Sequence, residues 1–178
     1  SLLAIELGDM DAQAIMANNL GEVFVGRADY DKARALLERA VSLADEADIA
    51  RTKVEALRNM GILHVATEAW GEAEGALTRA MTAAKTLDLK QLIAQVERSV
   101  GDMEARRSES KTDHPDRVAK RAVEAYKRSA AGFQAGGYDL EAALSLEQLA
   151  GFLEGRGATQ EAADARTTAA DLRARHGV

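Results

Sequence analysis

The three histidines, His64, His114 and His176, are the first places to look for metal or proton-transfer chemistry, and their spacing supports neither. No two of them stand at the i, i+4 separation that puts a pair of imidazoles on one helix face for zinc. With no cysteine in the chain, disulfides and thiolate metal sites are excluded as well. Gly151, Gly155 and Gly157 lie close together, but no Gly-x-x-x-x-Gly-Lys motif and no preceding strand pattern accompany them, so helix turns explain them better than a phosphate loop. Carboxylates are abundant, yet no pair is marked out as acid and base, and a charged solvated surface accounts for them. The chain is therefore expected to be no enzyme, with no cofactor and no metal.

What remains for these residues is binding, and the composition narrows the partner. The net charge is −6, which argues against a general nucleic-acid surface because phosphate neutralisation needs clustered Lys and Arg. A local basic stretch of Arg106, Arg107, Lys111, Arg117, Lys120 and Arg121 is interleaved with acidic residues and reads as a solvated helix face. No run approaches the roughly 18 apolar residues that a membrane span requires. Ala, Leu, Glu, Arg and Asp dominate, aromatic residues make up 4%, and Pro115 is the single proline, all of which point to helices. The chain opens in a helical pattern at Ser1 without an initiator Met or signal peptide, so it is expected to be an excised piece of a longer cytoplasmic protein.

The elements that position any binding residues emerge from internal repetition. Asn19-Leu20-Gly21, Phe24, Asp29-Tyr30-Asp31-Lys32-Ala33, Leu37 and Ala40 recur as Asn59-Met60-Gly61, His64, Ala69-Trp70-Gly71-Glu72-Ala73, Leu77 and Ala80, and glycines stand at 21, 61 and 101. Glycine inside a helix costs up to about 1 kcal/mol relative to alanine, so a neighbouring helix is expected to pass close by. Ala33 with Ala40, and Ala73 with Ala80, lie two turns apart on the following helix and permit that approach. Leu20, Phe24, Tyr30, Leu36 and Leu37, then Leu57, Met60, Trp70 and Leu77, are expected to fill the space between. His64 takes the register position of Phe24 and is expected to pack.

This register predicts the end of a preceding helix over 1–10 with a turn at Gly8-Asp9-Met10-Asp11. Repeat 1 follows over 11–48, repeat 2 over 49–88, and repeat 3 over 89–135 with an inserted polar loop at 108–116. A degenerate repeat 4 with a C-terminal cap occupies 138–178. Thr112 or Asp113 is expected to cap the helix that follows, with Pro115 in its first turn. The turn-like Gly136-Gly137-Tyr138-Asp139-Leu140-Glu141-Ala142 permits a second parse, in which the helix from 115 pairs with the helix from 139 and the last helix stays unpaired. Gly155 to Ala162 fits a within-repeat turn and favours the first parse.

Asn-Leu-Gly, Phe, Asp-Tyr-Asp-Lys-Ala, Leu and Ala over 19–40 closely resemble the tetratricopeptide repeat signature. The longer period resembles the extended subtype of kinesin light chains, Leu-Gly-Asn-repeat polarity adaptors and bacterial signalling regulators. The resemblance implies an all-α fold, an α-solenoid of antiparallel helix hairpins in a right-handed superhelix of about eight helices. It also implies a concave groove lined by the first helix of each repeat, in which the residue before Leu-Gly faces a bound polypeptide. Those positions are Asn19 and Asn59, then Ser99 and Gln148, with Asn18, Arg58 and Arg98 beside them and Glu22, Ile62 and Asp102 one turn on. An amide donates and accepts, and so can hold an extended backbone of any sequence, while Arg58 and Arg98 can pair with an acidic ligand group. The alternative for Asn19 and Asn59 is that they satisfy polar groups between stacked helices. A protein or peptide partner is thus expected. The open alternatives are a sensor domain of a bacterial transcription regulator or signalling ATPase, and self-association as a homodimer.

Overall fold

A computed structural model describes residues 2–110 and 114–177. Among them are eight helices and no strand: α1 (Leu2–Gly26), α2 (Tyr30–Glu46), α3 (Ala50–Ala66), α4 (Trp70–Thr86), α5 (Lys90–Glu109), α6 (Pro115–Ala135), α7 (Asp139–Gly155) and α8 (Thr159–Ala174). The all-α reading and its eight helices hold. The chain clusters into two compact units, Ser1–Leu89 with α1 to α4 and Lys90–Val178 with α5 to α8.

In the first unit α1 packs on α2, α3 on α4, and α2 on α3. Close approach is bought with small side chains: Ala33, Ala40, Ala73 and Ala80 are fully buried. A Cβ placed on Gly21 would lie 2.7 Å from Cγ and Cδ2 of Leu37, and one on Gly61 would lie 2.7 Å from the same atoms of Leu77. The leucine of each second helix thus occupies the space the glycine of the first leaves open, which is the packing reason expected for glycine inside a helix. Ala33, Leu37 and Leu63 form one buried cluster, with Phe24, Tyr30 and Met60 partly buried against it.

The second unit uses the same device with altered residues. A Cβ on Gly101 would meet the Tyr126 ring at 2.7 Å, so tyrosine takes the leucine's role. α5 packs chiefly on α6, α7 on α8, and α6 less extensively on α7. Ser129 is fully buried; its hydroxyl donates to the Ala94 carbonyl at 2.8 Å and lies 2.9 Å from Ser145 Oγ, so a polar group inside the helix interface is satisfied. Phe133, Ala142, Ala143, Ala169 and Leu172 form a buried cluster with Ala94.

The turns have a period of their own. Residues with positive φ fall at Ala28, Asp48, Glu68 and Asp88, and again at Gly137, Gly157 and Gly177, 20 residues apart within each series. At each of the first three, and at Gly137 and Gly157, the following amide closes on a carbonyl five residues back, as from Asp29 to Phe24 and from Ala69 to His64, while the left-handed residue bonds back three. This pair of bonds satisfies the last carbonyls of one helix and reverses the chain into the next.

Two expectations differ from the structure. The turn at Gly8-Asp9-Met10-Asp11 does not form, and α1 runs unbroken from Leu2 through Gly8 to Gly26. Nothing there forces a break: the segment has no proline, and a single glycine is tolerated in a helix at a cost of about 1 kcal/mol. Leu20, expected in the core, is 43% exposed because it faces away from α2 and α3. Ahead of α6, His114 is the residue next to Pro115. Thr112 and Asp113, the expected caps, lie outside the described residues.

Candidate binding site

In the first unit the residues expected to line a groove lie on α1 and α3. Asn19 and Glu22 are exposed, one turn apart on the same face of α1, and Ile62 is half-buried on α3. Asn59 was expected to face a ligand, but it is only 2% exposed and its amide donates to Asn18 Oδ1 at 3.0 Å. Asn18 is itself buried. Arg58 donates to Asn59 Oδ1 at 3.0 Å, which completes a polar chain from α3 to α1. The physical reason lies in the register: Asn18 and Asn59 are 41 residues apart, one repeat plus one position, so the two amides meet across the α1–α3 seam. A buried amide left without a partner would be costly, and each supplies the other. Asn59 therefore orders the seam, while Asn19 stays available at the surface.

The second unit holds the remaining candidates, and most of them already have partners within it. Arg98 donates from Nη1 to Glu141 Oε2 at 2.8 Å and stacks over the Phe133 ring at 5.3 Å. The arginine expected to receive an acidic ligand group is thus engaged by a carboxylate of its own unit, held there by a charge-assisted bond and an aromatic face. Asp102 accepts a 2.7 Å hydrogen bond from the Tyr126 hydroxyl, and burial, reinforced by the Asp102 charge, pushes the Tyr126 phenol far above its usual range. Ser99 is buried and returns its hydroxyl to the Gln95 carbonyl. Gln148 is half-buried, and its Oε1 has no hydrogen-bond partner among the described residues.

His64 packs, as its register position implied. It is 6% exposed, and its pKa is lowered, first by burial and then by the Arg34 charge, with Glu72 and Glu38 opposing. Sequence reasoning missed the buried Glu104, which meets Arg121 at 3.1 Å, and the Ser129–Ser145 contact. Serine at the register position of Ala40 and Ala80 was the available signal for the latter. No group of three or more His, Cys, Asp or Glu that could hold a metal ion occurs among the described residues, and no described helix is long and apolar enough to cross a membrane.

A family model described as tetratricopeptide repeat matches residues 12–86, the span of α1 to α4 that carries both Gly–Leu contacts. No curated protein gives a significant match to the chain. Repeats of this family generally mediate protein–protein interaction and are typically non-enzymatic scaffolds. Residues 12–86 thus belong to the tetratricopeptide repeat family, in a chain whose described residues are otherwise helices of the same hairpin design.

Proposed function

We propose that this chain is a polypeptide-binding scaffold whose first unit holds an extended partner along the exposed side of α1 and α3. The observation that carries this reading is the Asn18–Asn59 bond, which sets α1 beside α3 while Asn19 and Glu22 remain exposed next to that seam. Asn19 offers a donor and an acceptor to a passing backbone, Glu22 attracts a basic side chain, and Ile15, an exposed residue one turn before Asn19 on α1, supplies apolar contact together with the half-buried Ile62. Polar recognition on a pre-formed helical surface limits the ordering cost of binding. The 20-residue turn spacing supports the extended repeat subtype. The Ala-, Arg- and Asp-rich composition supports a place in a larger bacterial regulatory protein.

Selection from a random 12-residue phage-displayed library tests the reading. Selected peptides are expected to lose about tenfold in affinity to the Asn19→Ala/Glu22→Ala variant, equivalent to about 1.4 kcal/mol, with helicity unchanged by circular dichroism. Equal affinity for the variant and the parent would remove this face as the site.

A further inference from the structure

In the second unit α6 and α8 both pack on α7, and a groove of about 250 Å³ runs between them with α7 as its floor. Leu146, Leu149 and Leu153 form that floor at i, i+3 and i+7, one face of α7. Lys127 stands on the α6 wall, and Glu161 and Asp164 stand one turn apart on the α8 wall. All three charged side chains are exposed. Asp164 accepts a 2.9 Å hydrogen bond from Gln160 Nε2, whereas neither Lys127 nor Glu161 takes an ion pair among the described residues. Opposite charges thus line the two walls of a leucine-floored groove without closing on each other.

The first unit lacks this chemistry at the same register. Its α2, α3 and α4 correspond to α6, α7 and α8 at an offset of 89 residues, which pairs Leu37 with Tyr126, Ala40 with Ser129 and Ala73 with Ala162. There Arg34, Glu38 and Glu72 act through their charges on His64. In the second unit Arg34 is replaced by Val123 and His64 by Leu153, Glu38 changes sign to Lys127, Glu72 is kept as Glu161, and Gly75 becomes Asp164. Charge is thereby removed from the floor and kept on the walls, positive on one and negative on the other. A ligand that suits such a groove needs an apolar body with an anion and a cation close together, the pattern of a free apolar α-amino acid at neutral pH. A lone carboxylate or a lone amine would be attracted by one wall and repelled by the other. We propose that the second unit binds an apolar α-amino acid in this groove, with its carboxylate against Lys127, its ammonium against Glu161 and Asp164, and its side chain on the three leucines. The interior of a polypeptide carries neither backbone charge, so this site differs in chemistry from the surface on α1 and α3.

Titration of L-phenylalanine into the 178-residue chain carrying carbon-13 leucine methyls tests this by NMR, since the ring current of the ligand shifts any methyl beneath it. Saturable shifts at Leu146, Leu149 and Leu153 are expected, with a dissociation constant of about 1 mM. N-acetyl-L-phenylalanine lacks the ammonium and L-phenylalaninamide lacks the carboxylate. Each should bind about threefold to fivefold more weakly, the size of a solvent-exposed ion pair. Lys127→Ala should weaken L-phenylalanine by the same factor without weakening L-phenylalaninamide. Glu161→Gln/Asp164→Asn should do the converse, weakening L-phenylalanine without weakening the N-acetyl compound. All three positions are exposed, so helicity by circular dichroism should match the parent. Absence of saturable shifts at the three leucines overturns the proposal. So does equal affinity for all three ligands, or unchanged L-phenylalanine affinity in Lys127→Ala, either of which would reduce the groove to a non-selective apolar surface.

Discussion

Single residues carry two opposing demands in this chain, and glycine shows them most plainly. At Gly61 the missing Cβ makes room for Leu77, whereas nothing lies within 4 Å of a Cβ at Gly75. Helix propensity favours alanine at both sites by about 1 kcal/mol. Overpacking costs about 1–3 kcal/mol. Gly61→Ala is therefore expected to lower stability by about 1 kcal/mol and Gly75→Ala to raise it by about 0.5–1 kcal/mol, a contrast that urea denaturation of the two variants resolves. His64 adds a pH dependence. Burial and Arg34 hold its folded pKa below the unfolded value of 6.5, so above that pH it contributes no proton-linked instability. As the pH falls through 6.5 towards the folded pKa, the unfolded chain binds a proton that the folded chain refuses, and stability is lost. A Tm that drops between pH 7.5 and 5.5, with the drop reduced in His64→Phe, is the expected result; an unchanged drop would assign it to other groups.

At the scale of elements, the turns reveal a difference between the two units. The four left-handed residues of the first are Ala28, Asp48, Glu68 and Asp88, while those of the second are glycines. A non-glycine residue in that region bears about 1–2 kcal/mol of strain. Glycine removes the strain but gives back part of the gain through the greater freedom of the unfolded chain. Glu68→Gly is accordingly expected to stabilise the protein by about 0.5–1 kcal/mol, measurable as a rise in Tm; a fall would mean that the Glu68 side chain contributes more than its backbone costs. Helix identity was legible because it rests on local periodicity and on Gly21 and Gly61 in register. The continuity of α1 through Gly8 was not, since a glycine and two aspartates suit a turn and a helix alike, and tertiary context selects between them.

Across the whole molecule, charge is distributed unevenly. Residues 1–89 hold 9 Lys and Arg against 15 Asp and Glu, whereas residues 90–178 hold 14 of each, so the first unit carries the entire net charge of −6. Under the proposed function, peptides selected by the first unit should be rich in Lys and Arg, and their affinity should fall several-fold between 50 and 300 mM NaCl as the Debye length drops from about 14 to 6 Å. Selection of neutral peptides with salt-independent affinity would count against a role for this charge. By itself the sequence determined the repeat family, the eight helices and the small residues at which they meet, because these follow from spacing along one chain. Tertiary structure alone decided that Asn59 turns inward to Asn18, that Arg98 is held by Glu141 and Phe133, and that Leu20 stands in solvent. Each of those outcomes depends on which distant residue comes alongside, and the energetic need of a buried polar group for a partner, or of an apolar one for cover, is settled only once the helices have packed.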